Sequence, residues 1–492
     1  MVSNLNSELK KYFTSRKNIG QADNPNAVGE LVSKENNSFI KFSANIEKNI
    51  IKDIKFKAFG CKYTIAGASY FATQVKNKDI LTATLFTEKD LEKKLGEFPQ
   101  EKKKVLNLII YSFQKLITNY ISNTEISDIY KTNNKKIAVA ISGGVDSAIA
   151  IKILRDEGWD IFGITMKLPS DNSNYKNNYE ASYVSEDIKT ARKIAMLLKI
   201  PHIVIDIRKQ FEKIIIEPFC INYLKGKTPN PCIDCNKYIK FGLLLKLAKT
   251  LGANYIATGH YCRTGKSSKT DLYEIKKGVD ASKDQSYFLW KLSQDQILHI
   301  KTPLGVFKKI DIKKKAEMLY PFLSRKNESQ ETCFITENNY HDFLTQKFKN
   351  IRRGKVFNTK GELLGTHKGF PFYTIGQRKG LEISYNKPIY IKEIIPEKNI
   401  IIVSDESGLY QKEFKVFQLN FISGYPPGEF FNAIVKIRYN SDGSSAKIKI
   451  LDKKSANITF DKPQKAITPG QSAVFYIKDT LIGGGIIFKY RD

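Results

Sequence analysis

The sequence predicts an α/β protein: a doubly wound parallel sheet at its centre, an α+β region before it, and two small β-rich regions after it, the last a β-barrel. Three observations carry this. Between Lys135 and about Glu337, short apolar runs alternate with helix-period segments, the pattern of strand–helix–strand units. Beyond that the alternation stops, and short strands with Gly turns take over. Ahead of it, an extended alternating stretch precedes long helical segments that end in a polar tail.

The elements follow in order. Residues 1–125 form the first domain, with IKDIKFKAFGC (51–61) extended and ASYFATQVKN and KKVLNLIIYSFQKLITNYI helical. SNTEISDIYKTNNKK (122–136) is polar and lacks an apolar face, so it reads as a frayed helix end or a linker, set at residues 126–134. The next domain, 135–340, opens with the short buried strand KKIAVAI, the loop SGGVDS and a helix from AIAIKILRDEG. A strand in WDIFGITMKL, a helix over 183–199, a strand HIVIDI (202–207) and a helix FGLLLKLAKTLG before ANYIATGH complete the alternation. Ligands of such sheets sit at the carboxyl ends of the strands, where SGGVDS and ATGHY both fall. Residues 341–410 make a small central domain. Residues 411–492, with KVFQLNFI, NAIVKIRY, SAKIKILD, SAVFYIKD and IGGGIIFKY, make the barrel.

Composition narrows the function. The 492 residues fit about three domains of ordinary size, and 41% hydrophobic content is ample for their cores. A formal charge of +30 favours a polyanionic partner, most simply nucleic acid, with a drift toward Lys, Asn and Ile on solvated faces as the competing account. No apolar run approaches the roughly 20 residues of a membrane helix, and MVSNLNSELKKYF lacks a signal-peptide core. A soluble, cytoplasmic protein in a reducing compartment, with no membrane partner, is expected. Six scattered cysteines make no disulfide scaffold.

SGGVDS follows a strand and opens a helix. Its glycines allow close backbone approach, and free N–H groups at a helix start favour an anion. Ser142 and Ser147 can donate to phosphate oxygens. The loop lacks the Lys of a Walker motif. Asp146 would repel a bare phosphate, which implies a metal ion, Mg2+, or a hydrogen-bonding role. The loop resembles the pyrophosphatase-type loop of ATP enzymes that adenylate a carbonyl or amide oxygen.

TPNPCIDCN (228–236) places Cys232 and Cys235 three residues apart, and Cys333 lies in ESQETCFI about 100 residues on. One CxxC pair is too few for a four-Cys zinc site, although His260 or Cys262 could complete one. No thioredoxin pattern surrounds the pair. Two active readings stay open. One thiolate carries a persulfide that another attacks, with Lys237 and Lys240 lowering a thiol pKa; or Cys232, Cys235 and Cys333 hold a [4Fe-4S] cluster with one open iron. Cys220 and Cys262 read as packing thiols.

In order, AISGGVDSA, TPNPCIDCNKYIKFG, ATGHY, KDQSYFL, ESQETCFI, TIGQRKGL, VKIRY and TPGQSAVFY closely resemble the tRNA-specific 2-thiouridylase family (MnmA type) over residues 135–492. The resemblance implies ATP-dependent replacement of O2 by sulfur on the wobble uridine of tRNA. It implies ATP contacts at Ala140, Ile141, Ser142, Gly143, Gly144, Val145, Asp146, Ser147 and Met166, with Gly259 nearby. Cys235 matches the family nucleophile and Cys333 the persulfide-bearing cysteine. Asn230, Pro231 and Cys232 fall where the target base approaches. Lys283, Asp284, Gln285, Arg438 and Tyr439 match tRNA-contacting positions, and His260 and Gln471 positions near the tRNA. The implied partners are tRNA, a cysteine desulfurase or relay protein as sulfur donor, and a cellular reductant. Many relatives carry Asp at the Cys232 position, a departure that keeps the cluster reading open.

That family does not normally carry residues 1–130. NPNAVGE, IKDIKFKAFGCKYTIAGAS and LGEFPQEKKKVLNLIIYSFQKLI resemble the NifU/IscU-type iron–sulfur scaffold. Of the three scaffold cysteines only Cys61 is present, so the domain is degenerate and holds too few ligands for a cluster. It is expected to dock a desulfurase, with Cys61 as a persulfide relay, or to persist for folding alone. An iron–sulfur carrier or scaffold protein is the alternative function from another class.

Overall fold

The computed structural model describes residues 7–15, 17–33, 37–124, 132–169, 185–323, 332–335, 340–348 and 351–488. Most of the expected linker, the start of the 183–199 helix and the first residues of ESQETCFI lie outside the described residues. The chain forms two compact units, Met1–Arg208 with Leu244–Gly259 and Ile310–Glu328, and Lys209–Leu243 with His260–Lys309 and Ser329–Asp492. No described helix is long and apolar enough to cross a membrane.

In the first unit, helix α1 (Ser7–Thr14) precedes strands β1 (Ala27–Ser33), β2 (Ser38–Glu47) and β3 (Ile50–Phe59), followed by α2 (Lys62–Val75), α3 (Ile80–Thr84), α4 (Glu88–Leu95) and α5 (Lys103–Asn123). The strands pair antiparallel in the order β1-β2-β3. Alternation along β2 and β3 turns Ile40, Phe42, Ile54 and Phe56 into the core, where Phe71 of α2 meets Phe113 of α5 at 5.0 Å. A Cβ on Gly29 of β1 would lie 2.2 Å from the Leu116 backbone nitrogen, so only glycine lets α5 lie this close to the sheet. β1, β2 and the three short helices α1, α3 and α4 have weaker patterns than α2 and α5, and the sequence reading does not place them.

Strands β4 (Asn133–Ala140), β5 (Asp160–Lys167), β6 (His202–Asp206) and β7 (Ala253–Ala257) run parallel in the order β7-β4-β5-β6, with α6 (Val145–Asp156) and α7 (Glu186–Leu198) between them in sequence. β4 begins earlier than its apolar run. Asn133 and Asn134, expected in the linker, already lie in the strand because Asn133 N donates to Gly252 O at 2.9 Å, a pairing that needs no apolar side chain. The edge strand β6 is covered by the N-terminal region. Thr118 Oγ1 of α5 donates to Val204 O at 2.5 Å, and His202 N donates to Thr84 Oγ1 at 3.3 Å.

In the second unit, β8 (Cys262–Lys266), β9 (Tyr273–Lys277) and the two-residue β10 (Ile300–Lys301) precede the central sheet. That sheet holds β11 (Gly354–Asn358), β12 (Leu363–His367), β13 (Tyr390–Ile395) and β14 (Ile400–Ser404), ordered β12-β11-β14-β13. The barrel follows, with β15 (Tyr410–Phe421), β16 (Phe430–Lys436), β17 (Ser444–Asp452), β18 (Ser455–Lys465), β19 (Ser472–Ile477) and β20 (Thr480–Phe488). The order β15-β18-β17-β16-β19-β20 closes through a β15–β20 pairing that sets Val416 against Ile487. Inward residues Val416, Ile448, Ile458, Phe460, Phe475 and Ile487 fill it. β18, with Pro463 near a ladder irregularity, is the barrel strand the sequence pattern hid.

Candidate active site

The phosphate loop sits where the strand order reverses. β4 has β5 on one side and β7 on the other, so the crevice beyond their carboxyl ends is the expected ligand position. Ala140 ends β4, and Ile141 N donates to Ile164 O at 2.8 Å. Gly143 has φ +74°, which a side chain would strain, and Gly144 is the N-cap of α6. Val145, Asp146 and Ser147 form the first turn of α6. Met166 lies near the carboxyl end of the neighbouring β5. Gly259 follows β7, and a Cβ there would lie 2.8 Å from Asp146 Cβ. The structure thus brings the nominated nucleotide residues together, with one correction. Ser147 Oγ is buried and donates to Gly144 O at 2.9 Å, so its proton holds the loop's shape, while Ser142 stays exposed as a donor.

The cysteine motif folds for legible reasons. Asn230 Oδ1 accepts from Cys232 N at 3.2 Å and Pro231 occupies the first helical turn, so a short helix Pro231–Asp234 starts there. Lys291 Nζ pairs with Asp234 at 2.7 Å and pins the turn. A π-helical segment, Cys235–Leu243, then replaces the expected α-helix. Its i→i+5 winding brings Lys240 toward Cys235, where α winding would turn it away. Gln296 Nε2 bonds the carbonyls of Lys237 at 2.8 Å and Phe241 at 2.9 Å, supporting the unusual turn from outside. Neither the π winding nor Gln296 was foreseen, since both depend on packing rather than local pattern.

Cys235 is buried, and burial pushes its thiol up to about 12; the Lys240 charge opposes this, and Cys333, Cys232 and Asp234 add to it. The expected lowering by Lys237 and Lys240 is therefore corrected: desolvation outweighs Lys240, and Lys237 does not contribute. Cys232 presents surface to solvent, yet the packing around it still raises its thiol. Cys333 is exposed on a turn anchored by Phe334, whose ring packs on Phe211 (5.8 Å), Phe219 (5.3 Å) and Phe343 (5.6 Å). Cys232 and Cys333 each lie within electrostatic reach of Cys235. Among the described residues, however, no group of three or more His, Cys, Asp or Glu side chains is arranged to hold a metal ion, so a zinc ion does not fit them. His260 is buried against Phe241 at 5.7 Å, and burial with Lys240 keeps its imidazole neutral. Asn236 is buried; its Nδ2 reaches Phe288 O at 3.3 Å, and its Oδ1 has no partner among the described residues. Cys220 and Cys262 are buried thiols, raised to about 11 and about 12 by burial.

The remaining nominated residues are tied into the same unit. Lys283 closes a turn on Asp280 O at 3.1 Å. The buried Asp284 carboxylate accepts from Gly278 N (3.0 Å), Ser286 N (3.1 Å) and Ser286 Oγ (2.8 Å). Gln285 Oε1 accepts from Tyr261 N at 3.0 Å. Arg438 Nη2 donates to Ala466 O at 2.7 Å, and Tyr439 packs on Phe288 at 4.5 Å. Gln471 Nε2 donates to Thr228 O at 2.9 Å and braces the start of TPNPCIDCN.

The comparisons meet this geometry. A profile described as tRNA methyl transferase HUP domain matches residues 135–337, a tRNA methyl transferase PRC-barrel domain 341–405, and an aminomethyltransferase beta-barrel domain 411–487. The tRNA-specific 2-thiouridylase MnmA 2 of a Thermoanaerobacter species is 43% identical over 356 residues, 72% of this chain and 98% of the relative. The chain belongs to the tRNA-specific 2-thiouridylase MnmA family. The MnmA of Clostridium acetobutylicum is 41% identical over 355 residues, again 72% of this chain and 99% of the relative.

Ahead of the MnmA portion, a NifU-like N terminal domain profile matches residues 6–127. The N-terminal NifU-like protein of Brucella abortus is 18% identical, covering 24% of this chain and 95% of its own, with a TM-score of 0.21. By the profile match over residues 6–127, the MnmA portion is fused to a NifU-like domain. Cys61 is half-buried at the N-cap of α2, with Sγ 3.5 Å from Thr64 Oγ1.

Proposed function

We propose that this chain is an ATP-dependent tRNA 2-thiouridylase in which Cys235 and Cys333 handle the sulfur. The observation that carries the reading is the convergence of Cys235 with Cys333 in a chain that also bears the phosphate loop capping α6. A uracil O2 is a poor leaving group. Attack of O2 on the α-phosphate of ATP forms an O–P bond and expels pyrophosphate. The loop N–H groups, Ser142 and the α6 dipole receive the triphosphate. Asp146 is the residue to hold Mg2+, which would neutralise charge between the carboxylate and the phosphates.

The terminal sulfur of a Cys333 persulfide then attacks C2, and AMP leaves with the former O2. The Cys235 thiolate attacks the Cys333 sulfur and breaks the S–S bond. 2-Thiouridine departs, a Cys235–Cys333 disulfide forms, and a two-electron thiol reductant reopens it. Burial of Cys235 keeps it protonated until this step, and Lys240 supplies the charge that favours its thiolate. The exposed Cys333 is open to a sulfur donor, which the NifU-like domain docks, with Cys61 as an acceptor on the way. Fusion raises the effective concentration of that transfer. Asn230, Pro231, Cys232, His260 and Gln471 shape the approach of the base.

The test is pyrophosphate release and 2-thiouridine formation with purified protein, ATP, tRNA transcript and a desulfurase. Cys333→Ser should retain tRNA-dependent pyrophosphate release and lose thiolation. Pyrophosphate release that ignores tRNA would overturn the reading.

A further inference from the structure

Cys333 has to meet a buried partner, Cys235, and its own backbone gives it little support. Residues 332–335, the described part of its segment, form a single turn in which Ile335 N donates to Thr332 O at 3.0 Å. What fixes this turn is the next side chain. Phe334 is only 5% exposed, although Cys333 beside it is exposed.

The Phe334 ring enters a socket of three others. Its centroid lies 5.8 Å from that of Phe211, 5.3 Å from Phe219 and 5.6 Å from Phe343, at interplanar angles of 70°, 88° and 54°. The first two are edge-to-face contacts, in which the positive rim of one ring meets the negative face of another. Such contacts fix the direction of a ring as well as its depth, which plain apolar burial does not.

The socket is built by an irregular helix. Phe211 and Phe219 are eight residues apart. At about 100° per residue, pure α winding would leave their side chains roughly 80° apart. Between them Glu212–Ile216 winds as a π-helix. Its i→i+5 winding accommodates an extra residue and takes up most of that angle, so both rings come to one face. Phe343 enters from the helix Tyr340–Lys347, whose Lys347 pairs with Glu212 of the π segment. Ile215 and Ile216 of that segment are buried. The segment also packs against Pro231–Asp234 and Cys235–Leu243, which carry the other thiol. Residues 211–219 therefore link the seat of Phe334 to the helix that bears Cys235.

We propose that Phe334 is a positioning residue for sulfur transfer: its seat among Phe211, Phe219 and Phe343 sets the direction of the Cys333 sulfur toward Cys235. It acts through Cys333 and leaves adenylation alone. The proposal rests on the reading of Cys235 and Cys333 as the sulfur pair. Two groups held in place react at high effective concentration, and a loosened Cys333 loses that gain.

The experiment equilibrates the full chain in glutathione buffers of graded ratio, with the Cys235–Cys333 disulfide read by peptide mass spectrometry after alkylation. Forming that bond converts one oxidised glutathione into two reduced ones, so the equilibrium constant measures how well the two thiols are placed. Phe334→Ala should lower the constant at least tenfold, about 30 mV for a two-electron couple. Thiolation should fall by a similar factor, while tRNA-dependent pyrophosphate release stays as in wild type. Phe334→Met should recover most of both, since a thioether packs well at ring edges. Phe343→Leu, which opens one wall of the socket, should give a smaller loss of the same kind. Phe460→Leu, at a comparably buried ring of the barrel, should lower the melting temperature and leave the constant unchanged.

A wild-type constant and thiolation rate in folded Phe334→Ala would overturn the proposal and leave the sulfur-pair reading standing. If Phe334→Ala does not fold, Phe343→Leu decides in the same way. Pyrophosphate release that falls as far as thiolation would also overturn the proposal, since the substitution would then disturb more than Cys333. A wild type that forms no Cys235–Cys333 disulfide at any glutathione ratio would overturn both.

Discussion

Arg192 of α7 and Glu88 of α4 meet at 2.7 Å, with their side chains only 9% and 21% exposed, and the Arg192 guanidinium lies 5.0 Å from the centroid of the Tyr111 ring of α5. The NifU-like domain therefore holds the helix-flanked parallel sheet through a largely desolvated ion pair. Asn49 Nδ2 adds a bond to Thr250 O at 2.8 Å. Removing one partner of such a pair leaves the other charge unmatched. Glu88→Ala should lower unfolding free energy by about 2–4 kcal/mol in urea titrations. The NifU-like domain and the sheet should unfold in one transition. Two separate transitions in wild type would show a tethered rather than an integrated domain.

Thiol reactivity should separate the two sulfur residues. Cys235 is held at about 12 by burial, whereas Cys333 is exposed. In the free enzyme at pH 7.5, iodoacetamide should label Cys333 at least tenfold faster. Labelling of Cys235 should climb about tenfold per pH unit from pH 7 to 10, because the whole range lies below its pKa. Lys240→Met should slow Cys235 labelling further, while Lys237→Met should not. Peptide mass spectrometry reads both sites.

Gly259→Ala tests the close approach at the phosphate loop. The added Cβ would meet Asp146 Cβ at 2.8 Å and the Asp146 backbone carbon at 3.3 Å. Displacing the start of α6 misaligns the N–H groups proposed to receive phosphate. The expected result is at least a tenfold loss of tRNA-dependent pyrophosphate release, with an unchanged circular dichroism spectrum.

Acid sensitivity should trace to His202 on β6. Its ring is buried, Nε2 lies 2.8 Å from Thr165 Oγ1, and burial, reinforced by Arg192, pushes its pKa down to about 3. The unfolded chain takes up this proton near pH 6.5, before the folded one does. The stabilising contribution is complete above pH 6.5 and is lost as pH falls toward 3. At pH 5 the loss is about 2 kcal/mol. His202→Gln should flatten the decline of melting temperature between pH 6.5 and 5.

The sites divide by how local their signals are. The phosphate loop was legible because Gly143, Gly144 and the flanking strand and helix lie within one short stretch, and its geometry follows from backbone rules. The short helix after Asn230 was legible for the same reason. The raised thiol of Cys235 was not, because it depends on desolvation by residues distant in sequence, and the nearby lysines suggested the opposite sign. The bonds that bury the Asp284 carboxylate against Gly278 and Ser286, and the one that ties Nη2 of the exposed Arg438 to Ala466, leave no local signal.

By itself the sequence determined the α/β core, the loop at its centre, the cysteine words, the degenerate scaffold domain and the closing barrel, because periodicity and contiguous motifs encode each locally. Only the tertiary structure decided that Cys235–Leu243 winds as a π-helix and turns Lys240 toward Cys235, that α5 and α3 cover the β6 edge, and that Phe334 seats among Phe211, Phe219 and Phe343. Those relationships arise from long-range packing, where residues far apart in the chain compete for the same space and the same hydrogen bonds.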